Sequence, residues 1–145
     1  MSANEEANRI LSLTGNDMLK ALELLEKQLN TLHSRAQVLM SLAGIVVTVT
    51  GFSGRLIAAT SLVSQILVIS GLATVLTSAV WVFSRVMGIR WVTSGLTKDH
   101  IDSLEKIIER RNKKTRAFSR GGIILCVGLF LYSIAFAMML INPTN

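Results

Sequence analysis

The chain has 145 residues, half of them apolar and only 17% charged, with a net charge of +6 and a mean hydropathy of +0.51. A soluble domain carries about 25% charged residues, spread over its surface, whereas no charge falls in 36–54, 56–84 or 121–145 of this chain. The distribution argues against a soluble core, because a bilayer core needs about 20 apolar helical residues and the polar residues left over cannot coat three stretches of that length.

Residues 1–15, "MSANEEANRILSLTG", read as a mobile arm with room for a short helix before Gly15. They lack the basic start and early apolar core of a cleavable signal, so the first apolar stretch is expected to act as an uncleaved anchor. Asn16 is the expected N-cap of the next helix, with Asp17 favouring its N-terminus. In 16–35 and beyond, Met18, Leu22, Leu25, Leu29, Leu32, Ala36 and Leu39 are spaced alternately four and three apart. That is a heptad seam. It contains no Gly or Pro and predicts one helix over about 16–52, continuous with the first span at 36–54. The seam suits self-association and packing against the chain's own second polar helix, and the two are compatible, since one stripe can serve a multi-helix bundle.

Within span 1, Gly44, Thr48 and Gly51 lie on one face, where small residues let helices approach closely in lipid. "GFSGR" marks a tight turn. The second span is placed in 58–84. Its Ser70, Thr74 and Ser78 form a small-polar stripe that suits helix packing, or the lining of a pore. Gln65, the most polar span residue, is expected to bond between helices. Trp81 and Trp91 bracket the exit, where aromatic rings anchor at the interface. The basic stretch 85–120 follows, with surface chain around Gly88 and Gly95 and a helix over 97–118. Its acidic residues come early; Arg110, Arg111, Lys113, Lys114 and Arg116 come late, an order that suits the helix dipole. Span 3 is 121–141, and 142–145 form the tail.

Ten Lys or Arg fall in 84–120, four in 1–35, one in the 51–60 turn and none after Arg120. The positive-inside rule therefore puts 1–35 and 84–120 in the cytoplasm, with the turn and C-terminus outside. Arg110, Arg111, Lys113, Lys114, Arg116 and Arg120 are expected to hold the loop inside and to meet anionic lipid head groups. Nucleic-acid binding is not expected, since no base-stacking or base-reading groups accompany the charges. A soluble cytoplasmic partner remains open.

No ionisable residue lies within a span, which argues against a coupled transporter. The chain has no phosphate loop, nucleophile elbow or HExxH motif, and His33 and His100 lack further ligands at helical spacing. A non-enzymatic protein without cofactor or metal is expected. The lone Cys126 allows no internal disulfide.

"LNTLHSRAQVLMSLAGIVVTV" and "RNKKTRAFSRGGIILCVGLFLY" resemble the helix entries into the first and last spans of the small membrane effectors of bacterial anti-phage signalling, the Pycsar transmembrane effector type. That family's acidic residue before the first-span basic residue is absent at Ser34-Arg35-Ala36. The resemblance implies a cyclic-nucleotide-triggered disruptor of the inner membrane; no nucleotide-sensing residue can be carried over from it. The expectation is thus an all-α protein with three transmembrane helices, a cytoplasmic N-terminal helix continuous with the first span and a cytoplasmic helix between spans two and three. It is expected in the inner (plasma) membrane as a homo-oligomer, either permeabilising the bilayer or anchoring a soluble complex.

Overall fold

A short polar helix opens the chain because Ser2 and Glu5 cap each other. In the computed structural model, the Ser2 hydroxyl accepts from the Glu5 amide (3.2 Å) and the Glu5 carboxylate accepts from the Ser2 amide (2.9 Å), a reciprocal capping box. The structure describes residues 2–53, 57, 61–88 and 100–141, with His100 described by its backbone only. Among these residues there are four helices and no strand: α1 (Ala3–Leu13), α2 (Met18–Phe52), α3 (Leu62–Val86) and α4 (His100–Ile141). The last three are long and apolar enough to cross a membrane.

The short helix expected before Gly15 is α1, and it is packed rather than part of a mobile arm. Ala7 and Ile10 are buried against Ala21 and Leu25 of α2 and Leu104, Ile107 and Ile108 of α4. The N-cap of α2 is Asp17 rather than Asn16. Gly15 and Asn16 both take positive φ, 65° and 60°, a left-handed pair that Gly and Asn tolerate best and that excludes Asn16 from the extended geometry of an N-cap. The Asp17 carboxylate accepts from the amides of Leu19 (3.0 Å) and Lys20 (3.4 Å). The Lys20 amide does most to hold the Asp17 carboxyl below its usual range.

α2 is one unbroken helix of 35 residues, as the absence of Gly and Pro in its first half predicts. α3 is capped by Ser61, whose hydroxyl accepts from the Ser64 amide (3.4 Å). The expected helix over 97–118 does not stop at Phe118. α4 runs without interruption for 42 residues from His100 to Ile141, about 63 Å at 1.5 Å per residue. Gly121 and Gly122 are therefore no chain break. A Cβ on Gly121 would overlap the Val82 side chain, so this glycine is small because α3 passes there.

α3 and α4 form the closest helix pair. The buried residues of α3 are Ser64, Val68, Gly71, Val75, Ser78, Val82 and Val86, again spaced four and three apart. Gly71 lies against Gly128, and Ser78 against Gly121. A step of seven residues forward on α3 matches seven back on α4, so the two helices are antiparallel. α2 runs parallel to α4, with Gln28, His33 and Thr50 meeting Arg111, Lys114 and Tyr132 in the same order. One apolar cluster joins Leu32, Ala36, Leu39, Ala43 and Val46 of α2 to Val75, Val82 and Val86 of α3 and Leu125 of α4.

Candidate functional site

The heptad seam of α2 faces inward. Leu25, Leu32, Ala36 and Leu39 are buried, while Met18, Leu22 and Leu29 pack partly buried against the cluster formed with α1 and α4. Its N-terminal part packs with α1 and the polar part of α4, and Leu32, Ala36 and Leu39 pack with α3 and Leu125 of α4.

At the polar end, "ERRNKKTR" is helix interior rather than helix end, so its cations do not face a C-terminal dipole. Two of them tie elements together instead. Arg111 donates to the Glu6 carboxylate (2.7 Å) on α1, to the Gln28 side-chain oxygen (2.7 Å) on α2 and to Asn112 Oδ1 (2.8 Å) on its own helix. This fork uses the planar geometry that only Arg offers. Lys114 donates to the Gly88 carbonyl (3.1 Å) just beyond the end of α3, and its Nζ lies 3.2 Å from His33 Nε2. That nitrogen also lies 3.1 Å from the Val86 carbonyl. Burial holds Lys114 below the usual lysine range. Arg110 is half-buried, whereas Lys113, Arg116 and Arg120 are exposed. Trp91, Thr97 and Asp99 lie outside the described residues, as does the His100 side chain. Among the described residues no group of three metal-type ligands occurs.

The small-residue stripes separate by role. On α2, Gly44 and Gly51 face outward, with open space where a Cβ would stand, and Thr48 bonds the Gly44 carbonyl of its own helix (2.9 Å). On α3, Ser70 and Thr74 likewise bond the Leu67 and Ser70 carbonyls of their own helix (3.0 and 2.7 Å). Ser78 alone crosses, donating to the Gly121 carbonyl at 2.6 Å. It is sealed between α3 and α4, where it cannot line a pore.

The contacts that hold α3 to α4 escape a reading of residues four apart. A Cβ on Gly128 would sit 2.9 Å from the Val75 amide nitrogen and 3.0 Å from the Gly71 carbonyl. The legible signal is a spacing of seven: Ser64, Gly71 and Ser78 on α3, and Gly121, Gly128 and Ala135 on α4. All the non-glycine members of this series are buried. Trp81 adds a fixed contact, its indole N–H donating to the Ala117 carbonyl (3.2 Å). Comparison of the chain with protein-family models, with curated proteins and with solved structures finds no match.

Proposed function

We propose that the chain is a non-enzymatic integral protein of the inner (plasma) membrane that acts by assembling with copies of itself in the bilayer, with its N-terminus cytoplasmic and its C-terminus outside. The observation that carries the reading is the open face of α2. In its membrane-length part only Ala36, Leu39, Ala43 and Val46 are buried, and an outward side presents Gly44, Thr48 and Gly51 with free space at both glycines. Such a face allows close helix approach in lipid, where packing rather than hydrophobicity drives association. The ten Lys and Arg of 84–120 support the orientation.

The test is cross-linking in membranes in a Cys126→Ser background. Gly44→Cys is expected to give dimers, and Ile66→Cys, on the outward face of α3, is not. Monomer alone from Gly44→Cys rejects this face as the interface, and a monomeric wild type at every protein-to-lipid ratio rejects the reading. A permeabilising effector is one form of it, checked by dye leakage from vesicles. The second reading, an anchor for a soluble complex, is favoured by Leu13 and Leu19, both large, apolar and exposed at the polar end. It requires a pull-down that recovers a second protein whose capture is lost in Leu13→Ser/Leu19→Ser.

A further inference from the structure

Between the last turns of α3 and the middle of α4 lies an open cleft of about 480 Å³. Its described walls include Trp81, Arg85, Lys113, Lys114, Arg116 and Arg120, and no described lining residue is acidic. Arg85, Arg116 and Arg120 enter no ion pair among the described residues, and Lys113 reaches only the exposed Glu109, at 3.8 Å. Five cations around one cavity repel one another, and an anion between them reverses the sign of that interaction. The partial burial that depresses Lys114 adds to the demand for negative charge.

The position of the cleft restricts the anion. Arg120 immediately precedes the uncharged stretch that starts at Gly121, so the cleft sits where the apolar part of α4 begins. The Arg85 guanidinium lies 5.2 Å above the Trp81 ring, and the indole is itself fixed on the Ala117 carbonyl. A second space that Trp81 also lines, about 360 Å³, runs along α3 past Leu76, Thr77, Val80 and Ser84. The hydroxyls of Thr77 and Ser84 are turned back to the Ala73 and Val80 carbonyls (both 2.8 Å), which leaves no hydroxyl donor towards an occupant of this groove. Trp81 borders both spaces. A free phosphate would occupy part of the cleft and leave the groove empty. A molecule with a phosphate at one end and a hydrocarbon chain at the other fills both.

We propose that these two spaces, joined at Trp81, form a binding site for an anionic phospholipid, with phosphate oxygens held by Arg85, Lys113, Arg116 and Arg120 and one acyl chain laid along Leu76, Thr77 and Val80. The number of cations favours a head group with more than one negative charge. Such a site goes beyond the diffuse attraction of a polybasic segment to a charged membrane surface, because it predicts a retained lipid rather than a screened surface layer.

The test is native mass spectrometry of the full chain released from phosphatidylcholine nanodiscs, titrated separately with a two-phosphate lipid (cardiolipin), with phosphatidylcholine of matched chains and with inorganic phosphate. Cardiolipin is expected to be retained at least tenfold more than phosphatidylcholine. Arg85→Gln/Arg120→Gln is expected to lower that preference about tenfold, and Val80→Trp, which fills the groove, to lower lipid retention as well. Lys20→Gln/Lys27→Gln, neither of which lines the cleft, is expected to leave it unchanged. Helix content measured alongside shows whether each variant folds; should the double variant fail, Arg120→Gln alone, at an exposed position, is expected to lower the preference severalfold. Equal retention of the two lipids overturns the proposal, as does an unchanged preference in the folded Arg variants. Saturable uptake of inorganic phosphate without preference for cardiolipin makes the cleft a free-anion site and overturns the lipid assignment.

Discussion

The single side chain on which most of the polar end depends is Arg111. Its guanidinium joins α1 through Glu6 and α2 through Gln28, with both members of the Glu6 pair largely covered. Hydrogen bonds to charged groups contribute about 1.5–3 kcal/mol, so Arg111→Met is expected to destabilise the fold by about 2 kcal/mol. Arg111→Lys should not rescue it, since an ammonium cannot reach both acceptors as a fork. Hydrogen exchange locates the loss: amides of Ala3–Leu13 are expected to exchange faster while those of α3 are unchanged. Lys114 gives a pH-dependent counterpart. Burial lowers its pKa in the folded chain, so the native state holds this proton less tightly than the unfolded chain. Its contribution to stability therefore rises with pH between the lowered native value and 10.5, the ordinary value of a free lysine, and is constant below that window. Arginine stays charged throughout. The thermal midpoint of the wild type is expected to gain on Lys114→Arg as pH rises through that window, and the difference is expected to be flat near neutrality. At this scale the sequence is unevenly legible. The Ser2–Glu5 capping box is written in the order of residues, and only the surrounding polar residues, which suggest an arm, hide its significance. The turn at Gly15 and Asn16 is not legible in the same way, because a residue's suitability as N-cap depends on a backbone angle set by its neighbours.

At the scale of helices, the period of apolar residues carries real information and the role of glycine does not. The seam of α2 is visible from Met18 to Leu39, and it is the face that packs. What the period leaves open is the partner, since a stripe of Leu and Ala looks the same to another copy as to α4. The glycines mislead in the opposite direction. Gly121 and Gly122 resemble a break between a polar helix and a span, yet α4 passes through both. Residue types four apart, such as Ser70 and Thr74, draw attention, while the packed series repeats every seven residues, as left-handed antiparallel packing requires. Gly128 and Gly122 provide the contrast that tests this. A Cβ on Gly128 meets the backbone of α3, at Val75 N and Gly71 O, neither of which can rotate away; a Cβ on Gly122 meets nothing within 4 Å. Gly128→Ala is expected to cost about 1–3 kcal/mol, the range for overpacking. Gly122→Ala is expected to stabilise by about 0.5–1 kcal/mol through helix propensity. Unfolding of the two variants in the same detergent, followed by far-ultraviolet circular dichroism, checks both. Equal effects would mean that α3 and α4 are not in the close register described.

For the molecule as a whole, the three long helices are unequally engaged. α3 and α4 approach until glycine backbones touch, and α1 with the polar half of α2 closes one end. The membrane-length part of α2 is held by a single stripe, Ala36, Leu39, Ala43 and Val46, with Thr50 lying 3.3 Å from the Tyr132 hydroxyl. Its other side is uncovered, and the proposal of self-assembly rests there. The same geometry separates assembly from folding. Because nothing lies within 4 Å of a Cβ at Gly44 or Gly51, a large side chain at either position disturbs no contact inside the chain. Gly44→Leu/Gly51→Leu is therefore expected to leave the thermal midpoint of the isolated chain unchanged or slightly raised, as removal of helical glycine does. A second copy docked on this face would be displaced by two leucines, so the particle mass in lipid nanodiscs is expected to fall to that of one chain. The inward seam gives the reverse pattern: Leu25→Ala leaves a cavity between α1, α2 and α4 and is expected to cost about 2–5 kcal/mol without changing the number of copies per particle. A wild type that is already monomeric at every protein-to-lipid ratio removes the assembly reading. A wild-type oligomer untouched by the two leucines moves the interface elsewhere, to the outward faces of α3 or α4.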